Sequence, residues 1–141
     1  MVATVTTEFT VRPVGWVESS LTDRAAAPKQ GDEGAPPARI RLCADIFEAA
    51  ADLRPGAEVL VLTWLHQADR DVLTVRPRGD MSRPPTGVFA TRSPARPNPI
   101  GLHRVTITGI DGMFLSVDAL EAVDGTPVID LKPVLVGADE R

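Results

Sequence analysis

The stretch AEVLVLTWLHQ, residues 57–67, decides the fold. It is a continuous apolar run of strand length, rich in Val, Leu and Trp, and such a run predicts a buried strand at the centre of a sheet. The run ends in His66 and Gln67, where side chains commonly emerge from a sheet into a site. Both residues are therefore candidates for a functional site.

Turn signals after this strand predict further antiparallel strands. LHRVTITGI and MFLSVDAL flank Asp111-Gly112, and an Asp-Gly pair between two such segments is the strongest short hairpin signal. A second Asp-Gly pair, at residues 124–125, turns the chain into TPVIDLKPVL. We expect these three segments to be strands.

Segments on the N-terminal side of the central strand read in the same way. TEFTVRPVGWVES alternates loosely around Phe9, Val11 and Trp16, and its Pro13 marks an edge or a bulge. RIRLCADI predicts a strand with Ile40 and Leu42 inward. The remaining expectations are a long mobile loop at about residues 25–39, a short helix in FEAAADL (47–53) and a strand in DVLTVRP (71–77).

Length and composition complete the prediction of fold class. The chain has 141 residues, of which 43% are hydrophobic and 24% charged, as in an ordinary globular protein. Its 13 prolines favour strands and rigid loops over long helices. We expect one domain, residues 1–141, that is mostly β, a sandwich or barrel of six or seven strands with one short helix.

The cysteine count and the N-terminus indicate a cytoplasmic protein. Cys43 is the only cysteine, so neither an internal disulfide nor a cysteine-based metal site is expected. The segment MVATVTTEFTV has no basic region followed by an apolar one, and no apolar run reaches the roughly 20 residues that span a bilayer. We therefore predict no metal and no membrane contact.

Charge is distributed unevenly along the sequence. The whole chain carries −4, yet residues 70–104 hold seven arginines against two aspartates, a net charge of +5, which leaves −9 for the rest. The arginines are either solvated surface residues or, taken together, a site for an anionic ligand. Arginine suits carboxylate and phosphate groups because its planar fork donates two parallel hydrogen bonds.

The segment GVFATRSPARPNPIG, residues 87–101, lies within this cationic region. Its prolines fix φ at three positions and restrain the residues before them, which preorganises the backbone. The segment is either a structural corner or a rigid scaffold that presents Arg92, Arg96 and Asn98 to a ligand.

Familiar catalytic signatures are absent. The sequence has no G-x-G-x-x-G, Walker A, H-E-x-x-H or G-x-S-x-G motif. His66 is either a satisfied structural histidine or a site residue, and His103 lies within an alternating strand and reads as structural. The residues alone leave the reaction open.

Four motifs in one order resemble a known family. GVFATRSPARPNPIGL, preceded by WLHQ and TVRPR and followed by VDGTPVIDLKP, is similar to the TrmO/YaeB family, also called TsaA-like, from about Val11 to Leu135. The resemblance implies a dimeric, single-sheet β-barrel methyltransferase that uses S-adenosylmethionine. It also implies methylation of the exocyclic nitrogen of threonylcarbamoyladenosine next to the tRNA anticodon.

The resemblance also implies a set of site residues. Arg96 and Asn98 match the shared core and are expected to shape the pocket. Arg76 and Arg78 are expected to meet the substrate because of the positive charge of residues 70–104, not because of the resemblance. His66 and Asp124 are the candidates for the residue that removes the acceptor proton. The implied cofactor contacts are Pro28, Lys29, Gln30, His66, Gln67, Arg92, Leu102, Asp124, Gly125, Thr126 and Pro127.

Some positions depart from the family pattern. Lys29 replaces the usual arginine, and Val134 replaces the tyrosine usual after Lys-Pro. The sequence ends with DLKPVLVGADER, so the C-terminal domain of longer bacterial members is not expected. Two alternatives therefore stay open beside tRNA methylation. One is a methyltransferase for a small metabolite, and the other is a regulatory domain that binds S-adenosylmethionine without turnover.

Overall fold

The structure, a computed structural model, describes residues 7–23 and 34–136. Eight β-strands account for most of the regular structure, so the mostly β class is confirmed. The strands are β1 Gly15–Glu18, β2 Ala38–Leu42, β3 Glu58–Trp64, β4 Thr74–Val75, β5 Thr86–Gly87, β6 Ile100–Asp111, β7 Phe114–Val117 and β8 Pro127–Pro133.

Six of the strands form one closed sheet in the order β1-β2-β7-β6-β3-β8, a closed barrel in its topology. Closure comes from β8, which pairs antiparallel with both β3 and β1. The strand predicted at residues 57–67 is confirmed as β3, Glu58–Trp64, which pairs with β6 on one side and with β8 on the other. A closed sheet leaves none of these strands with a long free edge.

The inner face of the sheet follows the two-residue period of each strand. On β3, Val59, Val61 and Thr63 are buried, while the residues between them are at least partly exposed. Ile40 and Leu42 of β2 point inward as predicted. Together with neighbours from every strand of the sheet they form the core, listed here by its largest further members: Val17, Val105, Ile107, Leu115, Val117, Leu120 and Val128.

Both Asp-Gly turns are confirmed. The hairpin between β6 and β7 turns at Gly112 and Met113, with Asp111 paired to Phe114. Gly112 has φ of 58° at the first central position, which an L side chain rarely adopts. Gly125, with φ of 84°, precedes β8 in the same left-handed region.

Several boundaries differ from the predictions. Residues 7–13 form no strand, and Phe9 is 89% exposed. The strand predicted at 71–77 is reduced to β4, which pairs with β5 in a separate ribbon, so the protein does not consist of a single sheet. Local alternation could not reveal this, because a two-residue ribbon carries no periodic signal. Residues 7–23 and 34–136 contain no helix that could span a bilayer.

The predicted helix and loop also shift. The helix expected at 47–53 is a 3-10 helix at Ala44–Ala50, and two more single turns occur at Pro77–Gly79 and Val88–Ala90. The loop expected at about 25–39 ends earlier, because Ala38–Leu42 is β2. Most of that loop, residues 24–33, lies outside the described residues.

Candidate functional site

A cleft of about 780 Å³ lies where β3 ends and β6 begins. One wall comes from the ribbon and its 3-10 turn, a second from the proline-rich loop, and a third from the segment that precedes β8. Its volume lies within the range of small-molecule sites, about 300–1,000 Å³. The lining residues are 65–68, 75–79, 83, 90–96, 100–103, 121–123 and 126.

Five of the seven arginines in the cationic segment line this cleft, namely Arg76, Arg78, Arg83, Arg92 and Arg96. The other two lie elsewhere. Arg104 pairs with Glu58 on the outside of the sheet, and Arg70 packs over the ring of Trp64. The fold therefore concentrates positive charge that is spread over 21 positions of sequence into one concave surface, which suits an anionic ligand.

Two of these arginines stabilise the loops that form the walls. Arg96 is partly buried and donates to the carbonyl oxygens of Val88, Thr91 and Ser93 at 2.8, 3.1 and 2.9 Å. Arg76 donates to Met81 and Arg83 carbonyls across the loop that follows β4. Arg96 and Arg76 therefore each hold together a loop that forms a wall of the cleft.

Arg78 has an unusual backbone in the same wall. Its φ of 54° and ψ of 24° place it in the left-handed region, where non-glycine residues are uncommon. Its side chain lines the cleft. Backbone strain of this kind persists only where surrounding structure holds it, which fits a residue whose direction matters.

Asn98 does not line the cleft, but its side chain supports the loop that forms one of the walls. Its side-chain oxygen accepts a hydrogen bond from Arg70 at 3.1 Å, and the same guanidinium donates to the Pro97 carbonyl at 2.9 Å. The backbone N–H of Leu65 donates to the Pro99 carbonyl at 2.8 Å, which attaches the proline-rich loop to the end of β3. This loop is thus both a structural corner and a wall of the cleft.

The implied cofactor residues divide into three groups. His66, Gln67, Arg92, Leu102 and Thr126 line the cleft together, and Arg92 donates to the Leu102 carbonyl at 3.1 Å. Asp124, Gly125 and Pro127 do not line it. Pro28, Lys29 and Gln30 lie outside the described residues.

Asp124 faces away from the cleft. Its carboxylate accepts a hydrogen bond from the Ser19 backbone N–H at 3.0 Å and borders a separate, shallow depression. His66, the other candidate for the proton acceptor, is exposed and lines the cleft. Of these two candidates, only His66 lines the same cleft as the arginines.

A buried chain of hydrogen bonds reaches the cleft from the interior of the sheet. Thr63 Oγ1 lies 2.7 Å from His103 Nε2, and His103 Nδ1 lies 2.6 Å from Glu121 Oε1. Thr63 is fully buried, and the side chains of His103 and Glu121 are 5% and 10% exposed. His103 and Glu121 line the cleft, whereas Thr63 does not.

Gly101 provides the space for this chain. It pairs with Thr63 across β3 and β6, and a Cβ at this position would lie 2.3 Å from Thr63 Oγ1 and 2.6 Å from His103 Nε2. Real Cβ atoms do not approach so closely, so glycine is required here by packing rather than by its φ. This packing explains why the segment PNPIG ends in a glycine, Gly101.

Sequence reasoning missed Glu121 and took His103 as structural. One signal was available, because Gly101, His103 and Val105 fall on the inward positions of one strand. A histidine among inward positions must find polar partners. The identity of those partners was not visible, since Thr63 lies 40 residues and Glu121 18 residues away in the sequence.

Two carboxylates outside the cleft are perturbed. The Arg104 guanidinium, which donates to Glu58 at 2.9 Å, lowers the pKa of that carboxyl below its usual value. Hydrogen bonds from the Ser82 hydroxyl and backbone N–H lower the pKa of Asp80. Within residues 7–23 and 34–136, no group of three His, Cys, Asp or Glu side chains could hold a metal ion.

The closed sheet and its arginine-lined cleft define a small β protein with a cationic cleft of ligand size. The sequence matches the family described as tRNA-methyltransferase O N-terminal domain over residues 16–140, and the chain belongs to this family. Several of its relatives are named S-adenosyl-L-methionine-binding proteins, some of them as probable ones.

Relatives agree with this assignment. A probable S-adenosyl-L-methionine-binding protein of Methanothermobacter thermautotrophicus is 44% identical over 89% of this chain and 90% of its own length. An S-adenosyl-L-methionine-binding protein of Archaeoglobus fulgidus is 38% identical over 86% of each chain. The crystal structure of TrmO from Pseudomonas aeruginosa matches with a TM-score of 0.72 at 31% identity, over 96% of this chain and 62% of that chain.

The lining of the cleft fits S-adenosylmethionine chemically. Arginine guanidiniums suit the carboxylate of its methionine part. Leu65, Ile100 and Leu102 give apolar surface in the same lining. The described lining therefore offers counterparts for the carboxylate and for the apolar parts of the cofactor.

Proposed function

We propose that the chain is an S-adenosylmethionine-dependent N-methyltransferase that acts on the exocyclic nitrogen of threonylcarbamoyladenosine next to the tRNA anticodon. The observation that carries this proposal is the position of five arginines around the same cleft that holds the implied cofactor residues His66, Gln67, Arg92, Leu102 and Thr126. A site for a small cofactor and a surface for an anionic acceptor thus coincide. The TrmO structure supports the tRNA part by its similarity, although this chain spans only 62% of that protein.

The work of the protein in such a reaction is mainly positioning. The cofactor supplies an activated methyl group, and alignment of donor and acceptor at about 3 Å can lower the barrier by several kcal/mol. We propose that Arg92 holds the cofactor carboxylate, and its hydrogen bond to the Leu102 carbonyl would orient it for this role. Arg96 keeps the loop rigid by its three carbonyl contacts, so little ordering is needed when ligands bind.

Arg92→Ala tests the cofactor part of the proposal. We expect it to weaken S-adenosylmethionine binding by about tenfold or more in calorimetry, because a charge-assisted hydrogen bond is lost. Arg41→Ala is the matched control, since Arg41 is exposed and pairs with Glu18 outside the cleft. Equal affinities of both variants and wild type would remove Arg92 from the binding site.

Arg78 and Arg83 are the best residues to test for tRNA binding. Each neutralised phosphate releases counterions, so the affinity for tRNA should fall steeply as salt is raised. Arg78→Ala/Arg83→Ala should flatten that dependence. Arg76 is left unchanged because its contacts to the Met81 and Arg83 carbonyls maintain the loop, and its removal would alter shape as well as charge.

The decisive measurement is methyl transfer to purified tRNA that carries threonylcarbamoyladenosine, with wild type, the double variant and a control of equal charge, Arg12→Ala/Arg41→Ala. We expect wild type to produce the methylated nucleoside. The dependence of tRNA affinity on salt should change only in Arg78→Ala/Arg83→Ala. No methylated nucleoside from protein that binds cofactor would contradict the tRNA acceptor. Activity on a small amine would then favour the metabolite enzyme, and binding without turnover the regulatory domain.

We also propose that the protein is an isologous homodimer. The cleft is open to solvent on this chain, and a twofold contact would cover it with a second copy. Leu73 and Phe89, which are 69% and 86% exposed, flank β4 and β5 and give apolar surface near the cleft. Light scattering should give twice the 15.1 kDa chain mass, and a monomer at micromolar concentration would contradict the dimer.

A further inference from the structure

Glu121 is the single acidic side chain that lines the cleft among the described residues. Five arginines line the same cleft, yet none of the Arg side chains in the described residues forms an ion pair with Glu121; its partner is the buried His103. A guanidinium contact would stabilise the ionised carboxylate and oppose its taking up a proton. Within the described residues, the carboxylate of Glu121 is therefore held by a histidine and not by an arginine.

The order of the buried chain decides which group meets a ligand. His103 Nε2 faces Thr63, which is fully buried and does not line the cleft, so neither Thr63 nor that ring nitrogen can reach a substrate. The carboxylate is therefore the end of the chain that opens to the cleft. This arrangement is the reverse of a nucleophilic triad, in which the hydroxyl faces the substrate.

One oxygen of Glu121 remains available. Oε1 is held at 2.6 Å by His103 Nδ1, and the other oxygen has no hydrogen bond within the described part of the chain. No buried side-chain oxygen or nitrogen in that part lacks a partner, so this free oxygen is not sealed from solvent. It can accept a proton or a hydrogen bond from a molecule in the cleft.

We infer that Glu121 is the catalytic base that accepts the proton of the acceptor nitrogen, and that His103 is a positioning residue for it; the inference rests on the proposed methyl transfer. As the new nitrogen–carbon bond forms, the carbon–sulfur bond of the donor breaks and its electron pair stays on sulfur. The nitrogen proton passes to the free oxygen of Glu121, so the charges balance.

Glu121 would accelerate the reaction less if it acted beside the donor sulfonium. The sulfonium loses its positive charge as the methyl group leaves, so a carboxylate beside it stabilises the ground state more than the transition state. The acceptor nitrogen of a carbamoylated adenine has its lone pair delocalised and is a weak nucleophile until its proton departs. The same carboxylate therefore accelerates the reaction more at the acceptor proton.

Glu121→Gln tests the base, because it keeps the shape and an oxygen for His103 while removing proton-accepting capacity. In single-turnover reactions with saturating cofactor and tRNA, we expect the rate to fall by about 10²- to 10⁴-fold, with little change in tRNA affinity. Glu58→Gln is the matched control, since it makes the same chemical change on the outside of the sheet. If wild type transfers methyl groups and Glu121→Gln is equally active, the inference is overturned but the proposed function is not.

Cofactor binding provides a readout independent of turnover. Calorimetry of Glu121→Gln with S-adenosylmethionine and with the demethylated product should show the same ratio of affinities as wild type. A contact to the sulfonium would instead weaken the cationic donor by about tenfold or more relative to the neutral product. That result would overturn the role as base and assign Glu121 to the donor.

The pH profile separates a base from a structural residue. Removal of the base should change the pH dependence of the rate, so we expect the profile of Glu121→Gln to differ from that of wild type. The other charged or titratable residues in the described lining of the cleft are His103, His66 and five arginines. His66→Gln should keep the wild-type profile, and a change in that variant would transfer the role to His66.

His103 is tested by two substitutions. Asn can place a side-chain N–H near the position of Nδ1 and so still hold Glu121, whereas Ala cannot. We expect His103→Asn to keep much more activity than His103→Ala while both bind cofactor. Should Glu121→Gln fail to fold, this pair carries the test, and equal activity of the two variants would contradict the positioning role.

Discussion

The two ends of the interior of the closed sheet differ in chemistry. Along β6, Val105 and Ile107 face an apolar core, whereas Gly101 and His103, on the same face two to six residues earlier, meet Thr63 and Glu121. One end excludes polar atoms, and the other buries four of them in a continuous chain that ends at the cleft. A single strand thus serves stability at one end and the site at the other.

The two ends differ in the substitutions that they tolerate. An apolar core accepts substitutions of similar volume, because dispersion and hydrophobic burial have no direction. A buried hydrogen-bond chain needs each partner at a fixed place, since an unsatisfied buried group costs about 1–3 kcal/mol. We expect mutations at the apolar end to change the free energy of unfolding, and mutations at the polar end to change activity as well.

The largest effect is expected from Ile107→Ala. Ile107 is fully buried at the apolar end, and truncation should lower the free energy of unfolding by about 2–5 kcal/mol through lost burial and a residual cavity. Denaturant unfolding checks this, with Ile110→Ala as control because Ile110 on the same strand is 37% exposed. Cofactor affinity of the folded fraction should be unchanged, and a specific loss of affinity would break the comparison.

An intermediate effect is expected from Gly101→Ala. The added Cβ must displace Thr63 Oγ1 or the His103 ring, which should cost about 1–3 kcal/mol and lower methyl transfer in protein that is still folded. Gly109→Ala is the control, because a Cβ there meets only Ser116 at an ordinary 3.9 Å. The comparison fails if Gly101→Ala is destabilised yet transfers methyl groups at the wild-type rate.

The smallest effect is expected from Glu58→Gln, on the outside of the sheet. The pKa of Glu58 is lowered by Arg104 in the folded state, so its contribution is present above the unfolded pKa and is lost as pH falls through the folded one. Thermal unfolding at neutral pH should show a slight decrease that vanishes in acid. Both side chains are about half exposed, so a large decrease would contradict a solvent-screened pair.

Much of the architecture could be predicted from local sequence. The central strand β3, the hairpin around Gly112 and the turn at Gly125 each depend on a few adjacent residues. Predictions failed where the signal was short or the pattern ambiguous, as in the two-residue β4 and in residues 7–13. The helix at Ala44–Ala50 was placed three residues late and is 3-10 rather than α-helical.

The site was predicted only in part, and the division has a physical cause. Arg92 and Arg96 could be found because prolines and arginines lie together in one stiff segment. Glu121 could not, because its importance comes from a contact with His103, 18 residues away, made possible by the glycine at 101.

The sequence by itself determined most of the longer strands, the tight turns, the rigid loop and the excess of arginine between residues 70 and 104, since each follows from neighbours along the chain. Only the tertiary structure decided that five of those arginines face one cleft and that Thr63, His103 and Glu121 form a chain into it. Both outcomes depend on sheet closure and strand register, which are set by contacts between distant residues. β3 changes its register with β8 between Leu62 and Thr63, at the beginning of the buried chain, and no local pattern records that change.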